Sequence, residues 1–355
     1  MDRFEKLFAE LPHDAECALI TSDINRRYFT GMKSSDGTVL VFRDKAYLII
    51  DFRYIEKARA TVTNAEVIEQ KKLYSQIAEL IKKHNVSSMA IEAQTMTVSQ
   101  LNIIRNKFRD IEIIDTDMLS NAINTLRCYK SPEEIECIKK AQEIAEKALY
   151  DILGFIKVGV TEREIALELN HKMFLYGAED LSFETIVLSG TNTSMPHGVP
   201  SDKPVQDGEF VLMDFGAVYK GYHSDMTRTV CVGKPSKEME KVYNIVLEAQ
   251  NTAINAAHAG MTGSELDNIA RSIIEDAGYG DYFGHSLGHG VGLEIHEKPN
   301  ASPSYIHELN TGAVVTVEPG IYIEGKFGVR IEDFVILNEN SCENMTKFPK
   351  NLISL

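Results

Sequence analysis

The chain has 355 residues, 37 of them basic and 52 acidic, for a net charge of −15. That length allows about two domains with separate cores, and that charge repels phosphate backbones, which excludes nucleic acid as an expected partner. The five cysteines (Cys17, Cys128, Cys137, Cys231 and Cys342) are odd in number, widely spaced and free of any C-x-x-C pair, which excludes a disulfide framework and a thiolate zinc site.

The first residues, Met1-Asp2-Arg3-Phe4-Glu5-Lys6, lack the apolar core of a secretory leader. No uncharged apolar run approaches the roughly 20 residues of a membrane span. The expectation is a soluble cytoplasmic protein with no membrane partner. Thr38 to Phe42 and Ala46 to Ile50 read as strands around the polar turn Arg43-Asp44-Lys45. Residues 74–84 carry a helical apolar spacing, and Met89-Ala90-Ile91 follows as a further strand. Residues 1–127 are thus expected to form an α/β domain with few groups suited to catalysis.

Ser131-Pro132-Glu133-Glu134 marks the boundary: a serine N-cap, proline in the first helical position and a glutamate that closes a capping box. A long amphipathic helix follows to about Phe155, and the second domain spans residues 128–355. This domain echoes itself. Gly159-Val160-Thr161-Glu162-Arg163-Glu164-Ile165 recurs 101 residues later as Gly260-Met261-Thr262-Gly263-Ser264-Glu265-Leu266, each copy capping a helix and each following a long one, the second from about Ser236 to His258. Val211-Leu212-Met213-Asp214-Phe215-Gly216 is matched by Val315-Thr316-Val317-Glu318-Pro319-Gly320, and Gly221 through Asp225 by Gly328 through Glu332. Three echoes in one order point to two related halves facing each other.

The acids of those echoes carry the chemistry. Asp214 and Glu318 lie in apolar strands, and Glu332 is flanked by Val329-Arg330-Ile331 and Phe334-Val335-Ile336. A carboxylate in such surroundings is costly to ionise unless it is paired or binds a metal. Four carboxylates and one histidine make a hard, oxygen-rich site that suits Mn²⁺ and tolerates Co²⁺, Fe²⁺ or Zn²⁺. The histidine is expected from Phe283-Gly284-His285-Ser286-Leu287-Gly288-His289-Gly290-Val291-Gly292.

The blocks Asp214-Phe215-Gly216-Ala217, Ser224-Asp225-Met226-Thr227-Arg228-Thr229, Gly288-His289-Gly290-Val291-Gly292, Glu318-Pro319-Gly320 and Arg330-Ile331-Glu332-Asp333 resemble the proline-specific (M24B) branch of the "pita-bread" metallopeptidases. That branch holds aminopeptidase P (Xaa-Pro aminopeptidase) and prolidase (Xaa-Pro dipeptidase). The resemblance covers nearly the whole chain. It implies a creatinase-like α/β domain followed by a pita-bread domain, two pseudo-symmetric halves around a curved antiparallel sheet.

The resemblance also implies roles. Asp214 chelates one of two divalent ions, Asp225 and Glu332 bridge them, and His289 and Glu318 complete the other. Glu318 doubles as proton shuttle. His197, His285 and His296 match three substrate-contacting histidines, His296 as donor to the carbonyl oxygen, and Arg330 matches an arginine beside the bridging glutamate that is counted with the substrate-binding groups. The implied partners are proline-containing peptides and a second copy in a homodimer.

Three rivals share the scaffold. A metal-free relative such as creatinase and a non-catalytic binding protein lack the ligands present here, and methionine aminopeptidases lack a large N-terminal domain. Within the proline branch, prolidases resembling this chain have an arginine after their His-Glu-x-Pro segment to hold the substrate's free carboxylate. Here the segment reads His296-Glu297-Lys298-Pro299-Asn300. Thr30-Gly31 and Asp51-Phe52-Arg53-Tyr54 are similar to aminopeptidase P. The expectation is therefore an Xaa-Pro aminopeptidase preferring peptides longer than two residues. Prolidase is the alternative, with Lys298 or Arg53 as the substitute cation.

Overall fold

The computed structural model describes residues 2–355 and divides into two compact units, one ending at Arg127 and one spanning Cys128–Leu355. In the first unit, β1 (Cys17–Ile20), β2 (Thr38–Phe42), β3 (Ala46–Ile50), β4 (Glu66–Glu69), β5 (Ser88–Ile91) and β6 (Glu112–Ile114) form one mixed sheet in the order β4-β3-β2-β1-β5-β6. Six helices accompany it: α1 (Arg3–Glu10), α2 (Asp23–Thr30), α3 (Ile55–Thr61), α4 (Leu73–His84), α5 (Val98–Lys107) and α6 (Met118–Cys128). Strands β1, β2, β3 and β5 are buried along their whole length and read as continuous apolar runs, as central strands do.

The second unit starts with α7 (Pro132–Leu153), where Ser131 and Glu134 close the expected capping box. Its apolar stripe of Ile144, Ala145, Ala148, Leu149 and Ile152 packs with Ile165, Leu169 and Met173 of α8 (Glu162–Leu175). That pair backs β8 (Ile186–Ser189), β9 (Glu209–Phe215) and β12 (Met226–Val232), after the short β7 (Asp180–Leu181). The hairpin of β10 (Ala217–Tyr219) and β11 (Tyr222–His223) joins β9 to β12.

The second half repeats the plan. Helices α9 (Lys237–Ala256) and α10 (Gly263–Asp276) share a core, through Val242, Val246, Ala249, Leu266 and Ala270, with Val315 and Val317. This half's sheet contains β13 (Gly288–Gly290), β14 (Glu297–Ala301), β15 (Val314–Val317), β18 (Asp333–Leu337) and β19 (Cys342–Asn344). A hairpin of β16 (Gly320–Ile323) and β17 (Phe327–Arg330) corresponds to β10-β11. Each fully buried aliphatic side chain in these cores adds about 1.5–3 kcal/mol, so the strand scaffold behind the acids is stiff. No helix of the described residues is long and apolar enough to cross a membrane.

The echoes resolve differently. Thr161 and Thr262 cap their helices with nearly identical backbone angles, and each makes an isolated bridge to a later loop, Thr161 to Pro204 and Thr262 to Glu308. The third echo is a likeness of spacing only. Gly221 turns its hairpin at φ 84°, whereas Gly328 lies within β17 opposite Tyr322, and the second hairpin turns at Gly325. Gly328 is glycine for another reason: a Cβ there would sit 2.1 Å from the Thr193 carbonyl oxygen.

Candidate metal and peptide site

All nine residues singled out in the sequence line one cavity of about 580 Å³: Asp214, Asp225, His289, Glu318 and Glu332 with His197, His285, His296 and Arg330. Asp214 sits in β9 between Ile186 of β8 and Thr227 of β12. Asp225 fills the short link from β11 to β12. Glu332 fills the link from β17 to β18, its amide bonded to the Thr227 carbonyl. Glu318 lies just past the end of β15 rather than within it. Pro319 next to it has no N–H to continue the ladder. His289 is on β13 at an irregularity of register with β14.

Asp225, His289 and Glu332 each offer a donor atom, and these atoms lie within 4.8 Å of one another. His289 Nε2 is 3.6 Å from Asp225 and 3.4 Å from Glu318. Nδ1 of the same ring is 3.1 Å from the Gly290 carbonyl. A carbonyl only accepts, so Nδ1 carries the hydrogen and the neutral ring keeps a lone pair on Nε2, facing the acids. Burial, with His296 adding to it, pushes the His289 pKa down to about 4, which keeps the ring neutral.

The acids are held under electrostatic stress. Burial, then Asp214 and Glu318, raise the Asp225 pKa. Burial, then Asp225 and Glu318, raise that of Glu332. Burial pushes Glu318 up to about 8 despite the opposing pull of Arg330. One oxygen of Asp214 accepts from Arg330 at 2.6 Å, while its other oxygen, Oδ1, is buried with no hydrogen-bond partner among the described residues. An orphan carboxylate oxygen, three acids with raised pKa values and an imidazole lone pair aimed at one point are what divalent cations would relieve. The donor set therefore fits the metal the sequence implied.

The surrounding groups fall into two kinds. His197 and His296 are exposed on the cavity wall, with the His296 ring 4.3 Å from that of His289. His285 and Arg330 are engaged by protein partners. Arg330 donates to Asp214, to Thr227 Oγ1 at 2.9 Å and to Tyr322 Oη at 2.8 Å. Because Tyr322 accepts from Arg330, its own hydrogen goes to His285 Nε2, 2.9 Å away, and Nδ1 of that ring meets the Ser286 carbonyl at 2.8 Å. Sequence reasoning missed Tyr322, Thr227 (donor to Glu332 at 2.7 Å) and Thr316 (donor to Glu318 at 3.1 Å). Thr227 stood inside a recognised block, but hydroxyls on alternating strands otherwise read as ordinary sheet residues.

With this geometry in view, the comparisons decide the family. Residues 136–339 match the model of metallopeptidase family M24, and residues 2–129 match the creatinase/prolidase N-terminal domain. The chain belongs to metallopeptidase family M24. Among its relatives, the Xaa-Pro dipeptidase of Pyrococcus furiosus is 42% identical over 99% of both chains. A solved Xaa-Pro dipeptidase from Bacillus anthracis superposes with a TM-score of 0.95 at 42% identity, covering 99% of each chain. An X-Pro aminopeptidase from Thermotoga maritima superposes at 0.93 with 39% identity over the full length of both. The expected fold, a creatinase-type domain followed by a pita-bread domain, is the fold found, and the protein is a metallo-exopeptidase.

Proposed function

We propose that this enzyme cleaves the bond before proline and prefers Xaa-Pro dipeptides. The observation that carries the chemistry is the convergence of the Asp225, His289 and Glu332 donor atoms in a cavity that also presents His197 and His296. The choice of dipeptides reverses the reading from Asn300. Among the relatives and solved structures matched over their whole length, the Xaa-Pro dipeptidase and prolidase names are the more frequent. Asn300 lines the cavity, so its amide can donate to a substrate carboxylate where an arginine was expected. Lys298 is exposed on β14 and does not line the cavity.

Asp214, Asp225, His289, Glu318 and Glu332 would hold two divalent ions, Mn²⁺ first among the candidates. Such ions supply water activation and polarisation of the scissile carbonyl. The side chains supply the rest. Glu318 Oε takes the proton from the attacking water and delivers it to the departing proline nitrogen. His296 donates to the oxygen on which negative charge develops. Arg330 holds Asp214 in place by donating to one of its oxygens, and Tyr322 locks the His285 ring as part of the cavity wall. The acidic composition and the odd number of widely spaced cysteines support a cytoplasmic enzyme without nucleic-acid or membrane partners, and the family resemblance supports a homodimer.

A second reading, an Xaa-Pro aminopeptidase acting on longer peptides, is favoured by the absence of arginine at position 300 and by the Thermotoga relative. Comparison of kcat/KM for Ala-Pro and Ala-Pro-Ala under saturating Mn²⁺ separates the two. The dipeptide is expected to win, and a clear preference for the tripeptide would establish the second reading.

A further inference from the structure

One wall of the cavity is a segment that starts at the end of β8 and has no regular strand structure of its own. It runs from Ser189 through a short 3₁₀ turn (Gly190–Ser194) to Ser201, and Pro196, His197 and Val199 within it line the cavity. Such a segment needs something other than a strand ladder to hold it.

Glu162, the first residue of α8, is fully buried. Its Oε1 accepts from the Ser189 amide at 2.6 Å, the Ser189 hydroxyl at 3.0 Å and Asn192 Nδ2 at 2.9 Å. Its Oε2 accepts from the Ser201 amide at 3.0 Å and the Ser201 hydroxyl at 2.6 Å. One carboxylate thus clasps both ends of the segment, one oxygen to each end. Five hydrogen bonds converge on one side chain that is shielded from water, where each bond is stronger than at the surface.

The repeat inside the molecule gives an internal control. In the first half, the Glu162 and Arg163 amides bond the carbonyls of Lys203 and Ser201; in the second, the Gly263 and Ser264 amides bond those of His307 and Tyr305. Gly263 therefore stands where Glu162 stands. A Cβ at Gly263 would lie 2.0 Å from the Asn300 carbonyl oxygen, because strand β14 packs directly there. The second half holds its cavity wall by strand pairing against the helix start. The first half has no strand at that place and has a buried carboxylate instead.

We propose that Glu162 is a positioning residue: it fixes the Ser189–Ser201 segment so that His197 meets the substrate, a role that rests on the Xaa-Pro peptidase reading. Glu162→Gln keeps the volume but turns one end of the clasp from acceptor to donor, against the donors of Ser201 or of Ser189 and Asn192. The test is a double-mutant cycle with His197→Ala on the metal-loaded enzyme, together with hydrogen exchange of the native chain and Glu162→Gln. Misplacement of a substrate-contacting group costs up to about 100-fold, so Glu162→Gln is expected to lower kcat/KM for Ala-Pro by roughly 10- to 100-fold. In the His197→Ala background it should then cost less than about twofold, the non-additivity expected of residues acting as one unit. Amides of residues 189–201 should exchange faster while those of α7, β9 and β12 keep native protection. Ser201→Ala, which loosens one end only, should show the same pattern more weakly and serves if Glu162→Gln does not fold. Multiplicative effects in the cycle, or faster exchange throughout residues 128–355, would overturn the proposal. If the native enzyme cleaved no Xaa-Pro peptide, the functional reading would fail while the exchange result still judged the clasp.

Discussion

The two halves of the catalytic unit share a scaffold but contribute different chemistry. Each has a long helix, a threonine-capped second helix, an acid in a strand or just past its end (Asp214, Glu318) and a second acid in the link that follows a hairpin (Asp225, Glu332). The first supplies Asp214 and Asp225, and the second supplies Glu318 and Glu332. The pairing register carries the comparison further. Ser189 lies opposite Val211 as Gly290 lies opposite Val315, so buried Leu188 of the first half takes the place of His289 in the second. The lesson is that the repeat delivers paired carboxylates, whereas the asymmetric positions decide what the carboxylates do. The only nitrogen among the proposed ligands, and the His296 donor, come from one half; the clasped His197 segment comes from the other.

Making the halves alike at this position is the harshest way to break the comparison. His289→Leu copies Leu188 into the second half. It should lower bound divalent metal, measured by elemental analysis, and cut turnover by more than about 100-fold, since even outer partners of metal ligands cost 10–100-fold when removed. An enzyme with native metal content and turnover would show that His289 is no ligand.

A gentler probe asks whether the crowded acids are strained without metal. Glu318 titrates near 8 in the fold against an ordinary 4.5, and Asp225 and Glu332 are raised as well. Between those values the folded state binds more protons than the unfolded chain, so stability falls as pH rises. The metal-free protein should therefore lose thermal stability from about pH 7 to about pH 8.5, above the range in which His285 and His289, neutral in the fold, take up protons in the unfolded chain. Each pKa unit realised is about 1.4 kcal/mol, or about 3–6 °C in Tm for a domain of this size. Saturating Mn²⁺ should flatten that dependence. A metal-free Tm that is constant or rises over this range would contradict the strain.

Much of this was legible in the sequence, for a physical reason. A metal ligand must be one of a few residue types, and the strands around the cavity are short, so the proposed ligands Asp214, Asp225, His289, Glu318 and Glu332 stand inside local blocks. Capping boxes are likewise local, and Ser131, Thr161 and Thr262 all cap as their spacing predicted. What escaped is set by tertiary contact. Tyr322 looks like one more apolar strand residue until the hairpin folds it onto Arg330. Glu162 looks like an ordinary acid in the first turn of a helix. Its signal was present as a mismatch, Glu162 against Gly263, within an echo otherwise read for its likeness. The expectation of longer peptides, drawn from Asn300 and from the Thr30-Gly31 and Asp51-Phe52-Arg53-Tyr54 segments, is less well supported by the names of the relatives than the dipeptide alternative, and a neutral amide on the wall can also bind a carboxylate.

The central claim is that the five proposed ligands, drawn from both halves, form one dinuclear site that cleaves before proline. The most direct measurement is metal content and Ala-Pro hydrolysis on one preparation, as purified, after chelation, and after addition of Mn²⁺ or Co²⁺. Two ions per chain, activity abolished by chelation and restored by the added metal are predicted. Full activity in protein shown to be metal-free would contradict it.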